Sequence, residues 1–178
     1  MESSAQFETI ISVLAGNNLT GALRSIQVRA FQAGDEAAFR DLNEAWIAKY
    51  FTIEEPDRQV LDDPVGHIIG AGGYIFMALA DEVPVGCCAL LPMESGCFEL
   101  AKMAVKEDQR GRGIGRKVLE YAIAQARKIG ARRLYLETNR TLANAIHLYA
   151  SVGFEHVSPD QVIPSPYSRA NVFMEMRL

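Results

Sequence analysis

A glycine-rich segment between a strand-like run and a long amphipathic helix constrains this chain more than any other feature. The segment reads Gln-Arg-Gly-Arg-Gly-Ile-Gly over residues 109–115, and apolar side chains recur at helical spacing from Gly113 to Lys128. Backbone N–H groups at the start of a helix lack intrahelical partners and lie at the positive end of its dipole. Because glycines let an anion approach these groups closely, the segment predicts a phosphate-binding junction.

Composition narrows the kind of anion. The 178 residues are 49% hydrophobic and 22% charged, which predicts one globular domain with a core of its own. The net charge of -4 disfavours a general nucleic-acid or membrane-surface binder. Basic residues nevertheless crowd between Arg110 and Arg133. A local basic site in an acidic protein favours a small anionic ligand over a polymer.

The sequence carries no targeting or metal-binding pattern. No apolar run approaches the roughly 18 residues of a membrane helix, and no positively charged start precedes one, so a cytoplasmic protein without membrane contact is expected. The three cysteines, Cys87, Cys88 and Cys97, form neither a disulfide framework nor a metal-ligand spacing. We therefore expect no bound metal.

Hydrophobic patterning divides the chain into two parts. Residues 1–23 are predicted to form a helical appendage or an oligomer contact, so a homodimer is a possible assembly, and residues 24–178 form the main domain. Within that domain, strand-like runs at 26–31, 74–91 and 96–105 predict a first strand followed by an antiparallel meander. A β-α-β-α-β succession follows, in which Thr141 is predicted to cap the helix that ends at Gly153.

Two familiar glycine-loop motifs do not fit the segment. A dinucleotide fingerprint places glycine where this chain has Arg116, although Glu137 at the end of the next strand would suit it. A P-loop requires Gly-Lys followed by Ser or Thr, whereas Gly115 precedes Arg-Lys-Val. Both interpretations are disfavoured.

The pattern Arg-x-x-Gly-x-Gly at residues 110–115 resembles the acyl-coenzyme A site of the GNAT superfamily of N-acyltransferases. The resemblance runs from about Ile26 to Leu178, with blocks at 99–105, 136–139 and 145–154 in the family's order. It implies a mixed α/β fold with a central, largely antiparallel, splayed sheet of about six to seven strands flanked by helices. It also implies acetyl-coenzyme A as the co-substrate.

The same resemblance assigns the coenzyme contacts. The pyrophosphate would lie against the backbone of Gly111, Arg112, Gly113, Ile114, Gly115 and Arg116, in the positive potential to which Arg110 adds, and the pantetheine would pair with the backbone of Met103, Ala104 and Val105. Many relatives carry an asparagine where this chain has Leu142. Asn139 is therefore the candidate to reach the pantetheine, with Asn144 as the alternative.

Two side chains are candidates for the chemistry. An amine acceptor is mostly protonated at neutral pH, and Glu99 matches a position where family members often carry a base, acting directly or through water. Tyr149 matches the family tyrosine that points at the coenzyme sulfur and protonates the leaving thiolate. A backbone N–H near Met103 or Val105 would meet the oxyanion. Cys97 lacks a neighbouring histidine and is disfavoured as an acyl carrier.

These residues predict an N-acetyltransferase acting on a primary amine of a small molecule or amino acid by direct transfer in a ternary complex. A non-catalytic coenzyme A sensor and a protein N-terminal or lysine acetyltransferase are the alternatives. The acceptor side is expected from residues 37–69, the hairpin loops and the tail around Tyr167 and Arg169. Acidic surroundings would suit a cationic amine, whereas Arg169 would suit an acceptor with a carboxylate, so the sequence does not decide between these two acceptor classes.

Overall fold

A seven-stranded sheet forms the centre of the domain in the computed structural model, which describes residues 25–178. The strands are β1 (Ile26–Ala30), β2 (Tyr74–Ala80), β3 (Val83–Pro92), β4 (Cys97–Val105), β5 (Arg133–Thr138), β6 (Glu155–His156) and β7 (Val172–Arg177). Their order is β1-β2-β3-β4-β5-β7-β6, and only the β4–β5 pair is parallel. The predicted meander and the largely antiparallel sheet are confirmed, whereas the predicted N-terminal appendage lies outside the described residues.

Within residues 25–178, four α-helices accompany the sheet: α1 (Glu36–Tyr50), α2 (Glu55–Asp62), α3 (Ile114–Lys128) and α4 (Ala143–Ser151). A π-helical turn at Val65–Ile69 follows α2, and the helix-breaking residues Pro64 and Gly66 lie at this interruption. Gly113 and Gly130 bracket α3, both with φ of 76°, a left-handed conformation that glycine adopts without steric cost. The predicted start and end of this helix are confirmed.

The sheet is covered on both faces, which explains why β2 is apolar along almost its whole length. Ile75, Met77 and Leu79 pack with Phe39 and Ile47 of α1 and with Leu61 of α2. The alternate residues of β2, Phe76, Ala78 and Ala80, pack with Val118, Leu119 and Ala122 of α3. The two cores hold the sheet between α1 and α2 on one side and α3 on the other.

The parallel strands β4 and β5 separate soon after they meet. Their pairing is Cys97 with Arg133, Phe98 with Leu134 and Glu99 with Tyr135, although β4 continues to Val105 and β5 to Thr138. The separation leaves the edge of β4 that faces β5 without a strand partner beyond Glu99. This is the splayed sheet that the sequence predicted.

A β-bulge shapes the separated part of β4. Cys87 pairs with Ala104 and Ala89 with Ala101, so Lys102 and Met103 together oppose one residue of β3. Lys102 has φ of 51°, an uncommon conformation for a residue with a side chain and one that costs roughly 1–3 kcal/mol. Such strain concentrates at functional sites.

Two local predictions differ from the structure. Leu142, not Thr141, is the N-cap of α4, and no side chain caps that helix. The Thr141 hydroxyl instead donates to Asn139 Oδ1 at 2.8 Å, so the predicted cap was wrong. The short strand β6 was not expected, because two residues carry no readable alternation.

Within residues 25–178, no helix is long and apolar enough to cross a membrane.

Candidate active site

The glycine-rich segment leaves its backbone donors unpaired. Within the described part of the chain, the N–H groups of residues 111–116 donate to no carbonyl, and the first bond of this region runs from Lys117 N to Gly113 O. Gly111 and Gly113 both have positive φ, and a Cβ at either would meet no atom within 4 Å. The segment is thus an open row of donors at the N-terminus of α3, which fits an anion.

Arginine side chains brace this row. Arg110 donates through Nη1 to Tyr50 Oη at 2.7 Å and through Nε to Val105 O at 3.2 Å, which ties the segment to the end of α1 and the end of β4. Arg116 donates to Ser151 Oγ at 2.7 Å, and Arg112 donates to Gln109 Oε1. These side chains are anchored, and their charges add to the positive potential of the helix terminus.

A cavity lies where β4 and β5 separate. Its walls come from α1 and α2 on one face of the sheet, from α4 on the other, and from the segment that precedes β7. Glu99 and Tyr149, the two predicted catalytic residues, both line it. Met103, which was predicted to contact the coenzyme, lines it as well. The strand separation therefore brings these predicted site residues together.

Glu99 is poised to exchange a proton near neutral pH. Burial and, to a smaller extent, the charge of Glu137 raise the pKa of its carboxyl to about 7, against the opposing effect of Lys102. No other residue of the described chain makes a hydrogen bond with this carboxylate. Its oxygens are therefore available to the contents of the cavity.

Glu137 supplies a second carboxylate to the same cavity. Its Oε2 accepts a hydrogen bond from Ser165 Oγ, and burial raises its pKa. Because like charges in one site disfavour double ionisation, Glu137 helps to keep Glu99 protonated below neutral pH. From the sequence, Glu137 was considered only as part of the disfavoured dinucleotide-binding motif.

Tyr149 presents a hydroxyl that stays protonated. Its Oη lies 3.9 Å from Met103 Sδ, and its ring packs edge-on against Phe154 with centroids 6.0 Å apart. Burial raises the pKa of Tyr149 above its usual range. A phenol in this state is a hydrogen-bond or proton donor rather than a base.

Asn139 has an internal structural role, with its side chain 9% exposed. Its Oδ1 accepts from Thr141 N at 2.9 Å and from the Thr141 hydroxyl, and its Nδ2 donates to Arg169 O at 2.6 Å. The amide thus ties the end of β5 to the segment before β7. Its predicted contact with pantetheine stays a prediction. The alternative, Asn144, is exposed and does not line the cavity.

A buried carboxylate, that of Asp57, forms ion pairs with two cations that line the cavity. Asp57 is 0% exposed, and its Oδ1 accepts from Lys102 Nζ and from Arg169 Nη2, both at 2.8 Å. Its Oδ2 accepts from Arg169 Nη1 at 2.7 Å. Burial alone would raise the pKa of Asp57, but these hydrogen bonds outweigh it and hold the pKa below its usual range. Sequence reasoning assigned no role to Asp57 or Lys102.

Other candidates lie apart from the cavity. Cys97 accepts a hydrogen bond from Arg133 Nε at 3.3 Å and is not among the lining residues. His67, His147 and His156 are exposed, and none of them lines the cavity. Residues 37–69 and the tail contribute lining residues to the cavity, whereas the described hairpin loops contribute none; that these segments bind the acceptor stays a prediction.

Sequence comparison identifies the family. Residues 22–154 match the sequence profile of the Acetyltransferase (GNAT) family. The chain is 34% identical over 113 residues to the uncharacterized N-acetyltransferase YjgM of Escherichia coli K12, which covers 61% of this chain and 65% of that protein. It is 35% identical over 83 residues to an amino-acid acetyltransferase of Ralstonia nicotianae, covering 46% of this chain and 18% of that one. The chain thus spans less than two thirds of these relatives.

Solved structures share the fold. A GNAT-family acetyltransferase from Staphylococcus aureus Mu50 superposes with a TM-score of 0.78 at 19% identity, covering 86% of this chain and 99% of that one. The PaiA N-acetyltransferase of Thermoplasma acidophilum, solved with coenzyme A, gives 0.68 at 18% identity with the same two coverages. Since the family profile matches most of its length, the chain belongs to the GNAT acetyltransferase family.

Proposed function

We propose that this protein transfers an acetyl group from acetyl-coenzyme A to the primary amine of a small molecule or amino acid, directly within a ternary complex. The observation that carries the proposal is that Glu99 and Tyr149 line one cavity at the separation of β4 and β5. One residue is suited to accept a proton near neutral pH and the other to donate one. A binding module needs neither.

The donor would be held by backbone groups. The unpaired N–H groups of residues 111–116 would bind the pyrophosphate, and the edge of β4 over residues 103–105 would pair with the pantetheine as an added strand. Support comes from the open space at Gly111 and Gly113 and from the coenzyme A bound to the T. acidophilum relative.

The acceptor must lose a proton before it reacts. When bound, acetyl-coenzyme A supplies the thioester carbonyl. Glu99, directly or through one water, takes a proton from the acceptor ammonium, and a backbone N–H of the unpaired β4 edge near Met103 or Val105 stabilises the oxyanion. The neutral amine attacks the thioester carbonyl carbon, so that a C–N bond forms and the C–S bond breaks. The Tyr149 hydroxyl donates its proton to the departing sulfur and is reprotonated by the second proton that the amine nitrogen releases. Each role belongs to a group that the fold already orients.

Two measurements on the full chain test this proposal. Isothermal titration should detect acetyl-coenzyme A binding, and a thiol-release assay with a panel of primary amines should detect coenzyme A formation that depends on the amine. Binding without thiol release from any amine would contradict the enzyme and favour the coenzyme A sensor. No binding of the coenzyme would contradict both.

A further inference from the structure

Lys102 and Arg169 are the cations that line the cavity within the described residues. Each would ordinarily be a candidate to bind the carboxylate of an incoming amino acid. Arg169 presents both terminal nitrogens to Asp57 in a two-pronged pair, the geometry by which a guanidinium grips a carboxylate. Asp57 therefore occupies the position that a substrate carboxylate would need.

Both cations also donate to groups other than Asp57. Arg169 Nη1 donates to Glu54 Oε1 at 3.0 Å, and Lys102 Nζ donates to Tyr167 Oη at 2.9 Å. The Tyr167 ring lies 4.8 Å from Lys102 Nζ and 4.4 Å from Arg169 Cζ, so it packs against both charges. A second carboxylate would have to compete with Asp57, Glu54 and Tyr167 for these two cations.

The balance of charges in the cavity also disfavours an acceptor with a carboxylate. The cavity is lined by the carboxyl groups of Asp57, Glu99 and Glu137 but by the cations of Lys102 and Arg169 alone, within the part of the chain that the structure describes. The two cations are neutralised by Asp57 and by Glu54 beside it. The potential left to the acceptor is set by Glu99 and Glu137, which attract an ammonium group and repel a carboxylate.

We propose that Asp57 is a specificity-determining residue, which fills the Lys102–Arg169 site with its own carboxylate so that the enzyme accepts cationic amines that carry no carboxylate group. This inference rests on the proposed acetyl transfer and chooses between the two acceptor classes that the sequence left open. The proposed preference would distinguish this chain from relatives named amino-acid acetyltransferases, one of which the chain matches over only 18% of that protein's length.

Matched acceptor pairs test the inference directly. The purified full chain is assayed by thiol release with tyramine and tyrosine, histamine and histidine, and agmatine and arginine, each pair differing by one carboxylate. In the wild type, kcat/KM should favour the decarboxylated member by about tenfold or more in each reacting pair. Preference for the carboxylated member would overturn the inference.

Asp57→Asn provides a gain of function. Asparagine has the same size and keeps an oxygen for the Glu54 N–H, which donates to Asp57 Oδ2 at 3.1 Å, while it leaves Lys102 and Arg169 with excess positive charge. The ratio of the paired substrates should shift toward the carboxylated member by about tenfold. Asp62→Asn removes an exposed carboxylate from the same helix and should leave the ratio unchanged.

A binding readout separates this inference from the proposed function. Acetate should raise the melting temperature of Asp57→Asn in a concentration-dependent manner, by pairing with the uncompensated charge of Lys102 and Arg169, and should not do so for the wild type or Asp62→Asn. Absence of thiol release with every pair would count against the proposed function, and the acetate arm would then decide this inference. Absence of acetate stabilisation in a folded Asp57→Asn protein would overturn it. If Asp57→Asn does not fold, the wild-type pairs decide.

Discussion

Glu99 and Tyr135 form the last residue pair between β4 and β5 before the two strands separate. Glu99 therefore belongs to the hydrogen-bonded part of the sheet and lines the cavity at the same time. If Glu99 acts as the proposed base, its place on a paired strand holds it in position before substrate arrives, so little orientational freedom is lost in reaching the reactive geometry. The same position buries its carboxyl group, which raises its pKa into the working range.

We expect the pH dependence of the reaction to report Glu99. Because its pKa is about 7, wild-type kcat/KM should fall as the pH decreases through neutrality, when the carboxylate becomes protonated. Glu99→Gln should lower kcat/KM by about a hundredfold or more and remove this limb of the profile. Steady-state kinetics between about pH 5.5 and about pH 9 measure both effects, because this range extends to both sides of that pKa. The exposed Glu155 of β6 provides the control Glu155→Gln; retention of the limb in Glu99→Gln would assign it to another group.

Glu99 should also cost stability when it is charged. Its folded pKa lies above its ordinary value of 4.5, so between those values the folded protein binds more protons than the unfolded chain, and its contribution falls as the pH rises. Glu99→Gln mimics the neutral form. Its free energy of unfolding should exceed that of wild type at pH 8 by up to about 3 kcal/mol and match it at about pH 4, below the pKa of the unfolded chain. Urea denaturation at both values checks this, and a difference that is independent of pH would contradict it.

Tyr149→Phe isolates the role of the hydroxyl. Phenylalanine keeps the ring that packs on Phe154 and loses only the donor beside Met103 Sδ. We expect kcat to fall by about tenfold to a hundredfold while the Kd for acetyl-coenzyme A changes by less than about twofold. Tyr121→Phe is the matched control, since that ring packs on Phe76 and does not line the cavity. Equal turnover in Tyr149→Phe and wild type would reject the acid role.

Gly113→Glu tests the anion site. The new carboxylate would repel a phosphate at the unpaired N–H groups, so the Kd for acetyl-coenzyme A should rise by about tenfold or more. Gly72→Glu is the control, because Gly72 also has positive φ and open space around it but precedes β2, away from the loop. Both variants share the backbone strain, and only Gly113→Glu should lose affinity in isothermal titration. Equal affinity in both would contradict the assignment of the phosphate site.

The sequence was most informative where function and local structure depend on neighbouring residues. The positive φ of Gly113 and Gly130 follows from glycine at the ends of an amphipathic helix, so both limits of α3 could be predicted. Thr141 shows the limit of this reasoning. Its hydroxyl had a local alternative in Asn139 Oδ1, and that hydrogen bond replaced the predicted cap.

The network around Asp57 could not be predicted, because its contacts join distant parts of the chain. Lys102 and Asp57 are 45 positions apart and Arg169 and Asp57 are 112 apart, so no periodic pattern connects them. The orientation of Lys102 further depends on a β-bulge, which has no glycine to mark it. Tyr167 and Arg169 could be named as candidates, but their partners could not.

The most direct test of the account is to identify the products by mass spectrometry. The wild-type protein is incubated with acetyl-coenzyme A and tyramine, histamine or agmatine, with Glu99→Gln and Tyr149→Phe in parallel. The account predicts an N-acetylated amine and an equal amount of free coenzyme A, both strongly reduced in the two variants. Bound acetyl-coenzyme A with no acetylated product from these or any other primary amine would contradict it.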